Sequence, residues 1–187
     1  MYLLLHRAWT IIMCLILAAC GIAPARDAGY TLIHAGSIQP GDILPPPAGT
    51  VLLTLTGKIG VTNVADRLEF DMETLEQIGL VEYTVDDPHL VKTVTYRGVL
   101  LEQLLAVAQV PPDATMLWAT AVDDYQTLIP LSVLQWPVMV ATMRDGERMS
   151  LATKGPLQIA FPYNTFEIDP IVHDPMWVWH LAALEVR

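Results

Sequence analysis

Hydrophobic and polar positions alternate along most of the chain from residue 50 onward, and this pattern predicts more strands than helices. Strand-like runs cover residues 51–59, 81–85, 91–96, 114–122, 125–129, 138–143, 157–161 and 176–186. Helical spacing covers residues 70–79, 99–107 and, as a single turn, 131–134. Because the helices do not alternate regularly with the strands, the pattern predicts an α+β domain and argues against a doubly wound sheet.

The first of these helices has the clearest boundaries. Asp71 can cap its start, Phe70 and Leu75 stand at the spacing of a hydrophobic staple, and Gly79 can end it. Farther along, Asp145-Gly146 predicts a tight hairpin turn between two strands.

The first 25 residues are typical of an export signal. His6 and Arg7 precede an apolar run over residues 9–17, which is too short to cross the hydrocarbon core of a bilayer. The run ends in Leu17-Ala18-Ala19-Cys20, which resembles a bacterial lipobox, so that a signal of residues 1–20 would leave Cys20 lipidated. The alternative is cleavage after Ala25. Both versions predict a periplasmic protein, and the first also anchors it to the membrane through Cys20.

Residues 21–49 are rich in proline and glycine. Pro40 and the run Pro45-Pro46-Pro47 favour extended backbone, so this segment is expected to be a semi-rigid tether or an arm that lies on the domain. The folded domain itself is expected over residues 50–187.

Composition narrows the function. The chain has 187 residues, of which 53% are hydrophobic and 16% charged, so it packs a core. Twenty acidic against ten basic residues give a formal charge of −10, which repels phosphate backbones and argues against a nucleic-acid partner. Both cysteines, Cys14 and Cys20, precede the expected domain, which therefore has no disulfide, no cysteine nucleophile and no thiolate for a metal.

Histidine and serine patterns add no catalytic site. The histidines of the domain are not paired at i,i+4, and no serine lies in a Gly-x-Ser-x-Gly elbow. His173-Asp174 could in principle form an acid–base pair, but a single histidine in a loop usually has no catalytic role. No catalytic residue and no metal ligand is therefore predicted.

Several short motifs follow one another along residues 50–187. They are Gly57-Lys58-Ile59, the helix at 70–78, the stretch 96–105, Ala121-Val122-Asp123-Asp124-Tyr125, Arg144-Asp145-Gly146, Gly155-Pro156-Leu157, Phe161-Pro162-Tyr163 and Trp177-Val178-Trp179-His180-Leu181. In this order they resemble the molybdopterin-binding domain of the sulfite oxidase family, above all its small exported stand-alone members. The resemblance implies the strand-rich, sulfite-oxidase-like α+β fold of that domain.

This chain differs from the enzymes of that family at the ligand of the metal. Enzymes of that family hold molybdenum through a cysteine thiolate, whereas this chain has no cysteine after Cys20. In this respect it resembles the PruR-type periplasmic pterin-binding proteins. That resemblance implies a reduced pterin as ligand and, as partner, the periplasmic domain of a membrane enzyme that controls cyclic di-GMP.

Three functions remain open. The first is an exported, non-catalytic sensor that binds a pterin and relays its occupancy to the membrane partner. The second is a molybdopterin-dependent oxidoreductase, or a subunit of one, that holds the cofactor without a cysteine ligand. The third is a structural adaptor whose pocket is closed.

Recognition of a pterin requires an aromatic plate and polar groups for the edges of the ring. Trp177 and Trp179 lie two apart on a predicted strand, which would place them on one face, although core packing is the alternative for at least one of them. Tyr125 and Tyr163 lie next to loops and can add a ring edge or a hydroxyl.

The polar candidates lie in loops. Asp124 is the preferred carboxylate, because the resemblance places one just before the tyrosine, and a solvated turn is the alternative. Lys154, which precedes a glycine, and Arg144, at the hairpin, are the candidate cations, with a surface charge as the alternative for Arg144. Asn164 is the candidate amide, and a turn role is its alternative.

Overall fold

The structure, a computed structural model, describes residues 28–187. The expected export signal and Cys20 lie outside the described residues, so lipidation and periplasmic location stay predictions. Within residues 28–187, no helix is both long and apolar enough to cross a membrane.

Strands dominate the described part of the chain. They are β1 (Thr31–Ala35), β2 (Leu53–Gly57), β3 (Leu68–Phe70), β4 (Gly79–Asp87), β5 (Lys92–Leu100), β6 (Met116–Ala121), β7 (Gln126–Pro130), β8 (Met139–Arg144), β9 (Glu147–Arg148), β10 (Gln158–Ala160) and β11 (Leu181–Val186). The α-helices are α1 (Met72–Glu76), α2 (Leu101–Val107) and α3 (Pro170–His173), and the 3-10 helices are Leu131–Gln135, Leu151–Thr153 and Asp174–Met176.

The strands form two sheets. One has the order β1-β4-β5-β8-β10, with β9 beside β8, and the other has the order β3-β2-β11-β6-β7. Strands β2 and β11 run parallel, whereas the other neighbours in the described chain pair antiparallel. Mainly antiparallel sheets with a few short helices confirm the predicted α+β class.

The longest hairpin, β4–β5, shows how the alternation of the sequence builds the core. Every second residue of β4 from Gly79 to Asp87 is buried, which leaves the intervening side chains partly or fully exposed. Tyr83 of β4 stands opposite Tyr96 of β5, and both rings are buried. The Tyr83 hydroxyl donates a 2.7 Å hydrogen bond to the carbonyl oxygen of Ala160, which ties the hairpin to β10.

The predicted cap of α1 is present. Asp71 Oδ1 accepts the backbone N–H of Thr74 at 2.9 Å, and Thr74 Oγ1 in return accepts the N–H of Asp71 at 3.1 Å. The other carboxylate oxygen accepts the N–H of Gly49 at 2.8 Å and so fastens the preceding segment to the domain. The helix is shorter than predicted, because Gly79, with φ of +134°, already begins β4.

The proline-rich segment is fastened to the domain within its described part. Thr31–Ala35 pairs antiparallel with β4, and the N–H groups of Ser37 and Ile38 both donate to the Gln77 carbonyl oxygen. The segment was expected to be either a semi-rigid tether or an arm that lies on the domain. Thr31–Ala35 is such an arm, because it pairs with β4. The sheet therefore extends to the N-terminal side of residue 50.

The prediction of one continuous strand over residues 176–186 is wrong. Residues Asp174–Met176 form a 3-10 helix, and β11 begins only at Leu181. Pro175 favours the turn because its ring fixes φ near the helical value and it has no N–H for a sheet. His180, with φ of +53°, separates the turn from the strand.

Candidate functional site

A cavity of about 510 Å³ opens where three connections meet. These are the β4–β5 turn, the β6–β7 turn and the stretch between α3 and β11. The lining residues are His89, Asp123, Tyr125, Asp174, Pro175, Trp177 and Trp179. Its volume lies in the range of about 300–1,000 Å³ that is typical of small-molecule sites.

Aromatic rings form most of the cavity wall. The imidazole of His89 packs edge-on against both indoles, with centroids 5.9 Å from Trp177 and 5.2 Å from Trp179. Trp177 is only 4% exposed, while Trp179 is half-buried. The two indoles do not share a strand face as predicted, yet the irregular stretch before β11 brings both to one cavity.

His89 is held in place from beneath by a buried polar network. Asp87, 2% exposed, accepts the N–H groups of His89 at 2.8 Å and Leu90 at 2.7 Å on one oxygen. Its other oxygen accepts the Tyr96 hydroxyl at 2.6 Å, and that hydroxyl accepts the side-chain amide of Gln158 at 3.2 Å. Burial and the hydrogen bond to Asp87 raise the pKa of Tyr96, so its hydroxyl remains a donor.

The two candidate cations lie behind this aromatic wall. Lys154 Nζ stands 3.4 Å from the centroid of the Trp179 ring, a cation–π contact that holds the indole. Burial lowers the pKa of Lys154, and the positive charge of Arg144 lowers it further, whereas the charge of Asp87 opposes the shift. Neither cation lines the cavity itself.

Two tyrosines brace the rim of the cavity. The Tyr163 hydroxyl donates to Asp174 Oδ1 at 2.8 Å, and its ring lies 5.4 Å from that of Trp177. Burial, followed by the hydrogen bond to Asp174, raises the pKa of Tyr163. The Tyr125 hydroxyl donates to the Pro175 carbonyl oxygen at 2.7 Å and so connects the β6–β7 turn to the 3-10 helix Asp174–Met176.

Like Lys154, Arg144 and Tyr163, the candidates Asp124 and Asn164 do not line the cavity. Asp124 is exposed at the tip of its turn with φ of +65°, and its neighbour Asp123 lines the cavity instead. Asn164 bonds to Asp86 twice: its amide oxygen accepts the N–H at 2.6 Å, and its amide nitrogen donates to the carboxylate at 3.0 Å. These long-range bonds fasten the loop of Asn164 to β4, which is neither the pterin contact nor the turn role considered for it.

Sequence reasoning missed part of the site. His89 carries no motif, and Gln158 lies within a run that is otherwise apolar. The burial of Asp87 could have been predicted, because it continues the alternation of Val81, Tyr83 and Val85. It was missed because the predicted strand ended two residues too early.

Buried polar atoms without a partner cluster around this cavity. In the part of the chain that the structure describes, His89 Nε2, Arg144 Nη1, Gln158 Oε1 and Trp179 Nε1 are buried and have no hydrogen-bond partner. Gln158 pairs with Trp179 through a β-bridge, and Arg144 stands opposite Tyr96 on the neighbouring strand. Since nearly all buried polar groups in folded proteins are satisfied, this concentration of unpartnered atoms makes the cavity the candidate binding region.

The fold and the cavity together define a class: a two-sheet α+β domain with an open, largely aromatic cavity at its loops. More narrowly, the chain belongs to the oxidoreductase molybdopterin binding domain family, whose sequence model matches residues 66–166. That range includes His89, Asp123 and Tyr125, whereas Asp174 and both cavity tryptophans follow it. The resemblance to the sulfite oxidase-type domain is thus confirmed.

A solved structure has the same fold. The chain is similar to the sulfane dehydrogenase SoxCD from Paracoccus pantotrophus, with a TM-score of 0.55 and 20% sequence identity. The similarity covers 72% of this chain and 37% of that chain, so this chain spans little more than a third of the solved protein. No curated protein matches the sequence.

The family name implies a molybdopterin, which consists of a pterin and a bound metal. The cavity fits the pterin ring but offers no cysteine ligand for the metal. Aromatic walls and the cluster of unpartnered donors suit the flat pterin ring. The metal lacks its expected ligand, because no cysteine follows Cys20 in the sequence. Within residues 28–187, no group of three or more His, Asp or Glu side chains is arranged to hold a metal ion.

Proposed function

We propose that this domain is a non-catalytic sensor that binds a reduced pterin in the cavity beside Trp177 and Trp179. The observation that carries the proposal is the aromatic cavity itself, with unpartnered buried polar atoms on His89 and Trp179 of its lining, in a molybdopterin-type domain that has no cysteine after Cys20. No metal ligation and no catalytic step is required of these residues.

The cavity chemistry matches a pterin better than an aliphatic metabolite. Indole and imidazole rings supply faces and edges for packing against a flat bicyclic ring. The two carboxylates of the lining, Asp123 and Asp174, are candidate acceptors for the amino edge of the ring, and a charged acceptor forms the stronger type of hydrogen bond. The volume of about 510 Å³ is within the range of small-molecule sites and is sufficient for a bicyclic ring.

The sensor acts by relaying occupancy to a membrane partner. As an exported protein, anchored through Cys20, it would meet the periplasmic domain of an enzyme that controls cyclic di-GMP. A ligand can change this contact only if the partner distinguishes the bound from the empty state. The cavity suits such a relay, because a ligand in it bridges three separate connections of the fold at one end of the molecule.

Direct binding tests the proposal. Dihydromonapterin titrated into the purified domain under anaerobic conditions should release heat and quench tryptophan fluorescence. Trp179→Phe should weaken both signals. Trp118→Phe is the matched control, because Trp118 lies on β6 against Arg187 and does not line the cavity. Absence of heat and quenching with every reduced pterin would refute pterin binding.

Relay requires a second measurement with the partner. The periplasmic domain of a membrane enzyme that controls cyclic di-GMP, taken from the same organism, should bind this protein with different affinity in the presence and absence of the pterin. Equal affinity in both states would remove the sensor role and leave only a binding protein.

A molybdopterin oxidoreductase is the second candidate, favoured by the family match over residues 66–166. Metal analysis of protein isolated from the periplasm separates the two. Molybdenum at one equivalent per chain would support the oxidoreductase and contradict the sensor. Protein that binds free pterin and contains no molybdenum would support the sensor.

A further inference from the structure

We infer that Asp174 reads the amino edge of the bound ring, so that the site selects 2-amino-4-oxo rings over 2,4-dioxo rings of the same shape. The inference rests on the proposed function and adds the class of ring and the residue that selects it. It assigns the task to Asp174 and not to the adjacent aspartates of the β6–β7 turn.

The geometry of Asp174 suits this task. It lines the cavity and is half-buried, and its Oδ1 is fixed by the Tyr163 hydroxyl at 2.8 Å. Tyr163 is itself positioned by the edge of Trp177 at 5.4 Å. One oxygen of the carboxylate is therefore used to orient the group, and the second is available to a ligand beside the aromatic wall.

Asp123 and Asp124 are less suited. Asp123 is exposed, and its Oδ1 faces the N–H of Tyr125 at 3.3 Å within its own turn. Water competes for a hydrogen bond to an exposed carboxylate, so such a bond contributes little selectivity. Asp124 does not line the cavity.

The chemistry explains the selectivity. A pterin presents an amino group at C2 and N–H at N3, both of which can donate to a carboxylate. In lumazine, an oxygen replaces the amino group and faces the carboxylate as a second acceptor. A site binds an analogue much more weakly when the analogue leaves the acceptor of the site without a donor or places a second acceptor against it. An amide in place of the carboxylate can donate to that oxygen, so Asp174→Asn should relax the selection.

The experiment compares pterin and lumazine on the wild-type domain and on Asp174→Asn by calorimetry. We expect wild type to prefer pterin, and Asp174→Asn to lose about 10- to 100-fold of that preference, the range for a hydrogen bond to a charged group. The ratio of the two affinities is an internal control, because a misfolded variant loses both ligands. Asp169→Asn is the matched control, since Asp169 caps α3 outside the cavity and asparagine caps equally well.

The outcomes are distinguishable. An unchanged preference in Asp174→Asn, or a loss that appears in Asp123→Asn instead, would overturn the assignment and leave pterin binding intact. A wild-type domain that binds pterin and lumazine equally would also overturn it. Failure of wild type to bind pterin, lumazine or any reduced pterin would refute the proposed function itself.

Discussion

Replacing Tyr96 by phenylalanine removes a single hydroxyl from beneath the cavity and keeps the buried ring. The hydroxyl donates to Asp87 at 2.6 Å and accepts from Gln158 at 3.2 Å, and all three side chains are buried. Asp87 also holds the N–H of His89, so the substitution affects a network that positions a cavity wall.

The expected cost follows from the groups left behind. A buried polar group without its partner costs about 1–3 kcal/mol. Tyr96→Phe deprives two groups of a partner, although Asp87 retains its two backbone donors. We therefore expect the free energy of unfolding to fall by about 2–4 kcal/mol. Tyr83→Phe is the matched control, because it removes the same atom but deprives only the Ala160 carbonyl, at an expected cost of about 1–2 kcal/mol.

Urea unfolding followed by tryptophan fluorescence measures both variants, and calorimetry with a reduced pterin measures the site. Tyr96→Phe should be the less stable of the two and should bind the pterin more weakly, since His89 loses part of its support. Tyr83→Phe should bind normally. The reasoning is refuted if Tyr96→Phe is no less stable than Tyr83→Phe and binds the pterin as wild type does.

Three further changes test the fold and the polar layer. Gly98→Ala would place its Cβ 2.2 Å from the Val140 carbonyl oxygen, so little folded protein should be recovered, as gel filtration would show. Hydrogen bonds from Thr74 and Gly49 lower the pKa of Asp71, so its carboxylate stabilises the fold above its unfolded pKa of about 3.9, and this contribution is lost as the pH falls through the folded pKa. Asp71→Asn should therefore flatten the acid limb of stability measured by urea unfolding, and an unchanged limb would contradict the assignment. Gln158→Leu removes a buried acceptor without a partner together with the amide that donates to Tyr96, whose hydroxyl keeps its bond to Asp87, so the free energy of unfolding should fall by no more than about 1 kcal/mol and pterin affinity should fall less than in Tyr96→Phe; a larger loss of either would contradict this reasoning.

The strand pattern could be predicted from the sequence because alternation is a local property. The hairpin turn at Asp145-Gly146, between β8 and β9, and the cap at Asp71 depend on neighbours within a few residues, and both are present as predicted. The stretch before β11 could not be predicted in the same way. Its apolar residues resemble a strand, whereas their burial depends on contacts with His89 and Tyr163 that are distant in sequence.

The candidate site was predictable only where residue type limits the choices. Large aromatic side chains such as Trp177 and Trp179 are few, so selecting them required little knowledge of the fold. The choice between adjacent aspartates depends on which side of a turn faces the cavity, and a φ of +65° at Asp124 reverses the direction of the chain there. Only the three-dimensional fold resolves that choice.

The open cavity also bears on the adaptor alternative. A pocket that had lost its ligand would gain stability by filling with side chains, because empty apolar volume forgoes packing contacts. Here Trp177 and Trp179 form the wall of a space of about 510 Å³ and do not fill it. Gln158 Oε1, which is buried behind that wall without a hydrogen-bond partner, is a further cost that an apolar residue would avoid in an adaptor. The open cavity and this unpartnered atom therefore favour the ligand-binding role that we propose over a role in structure alone.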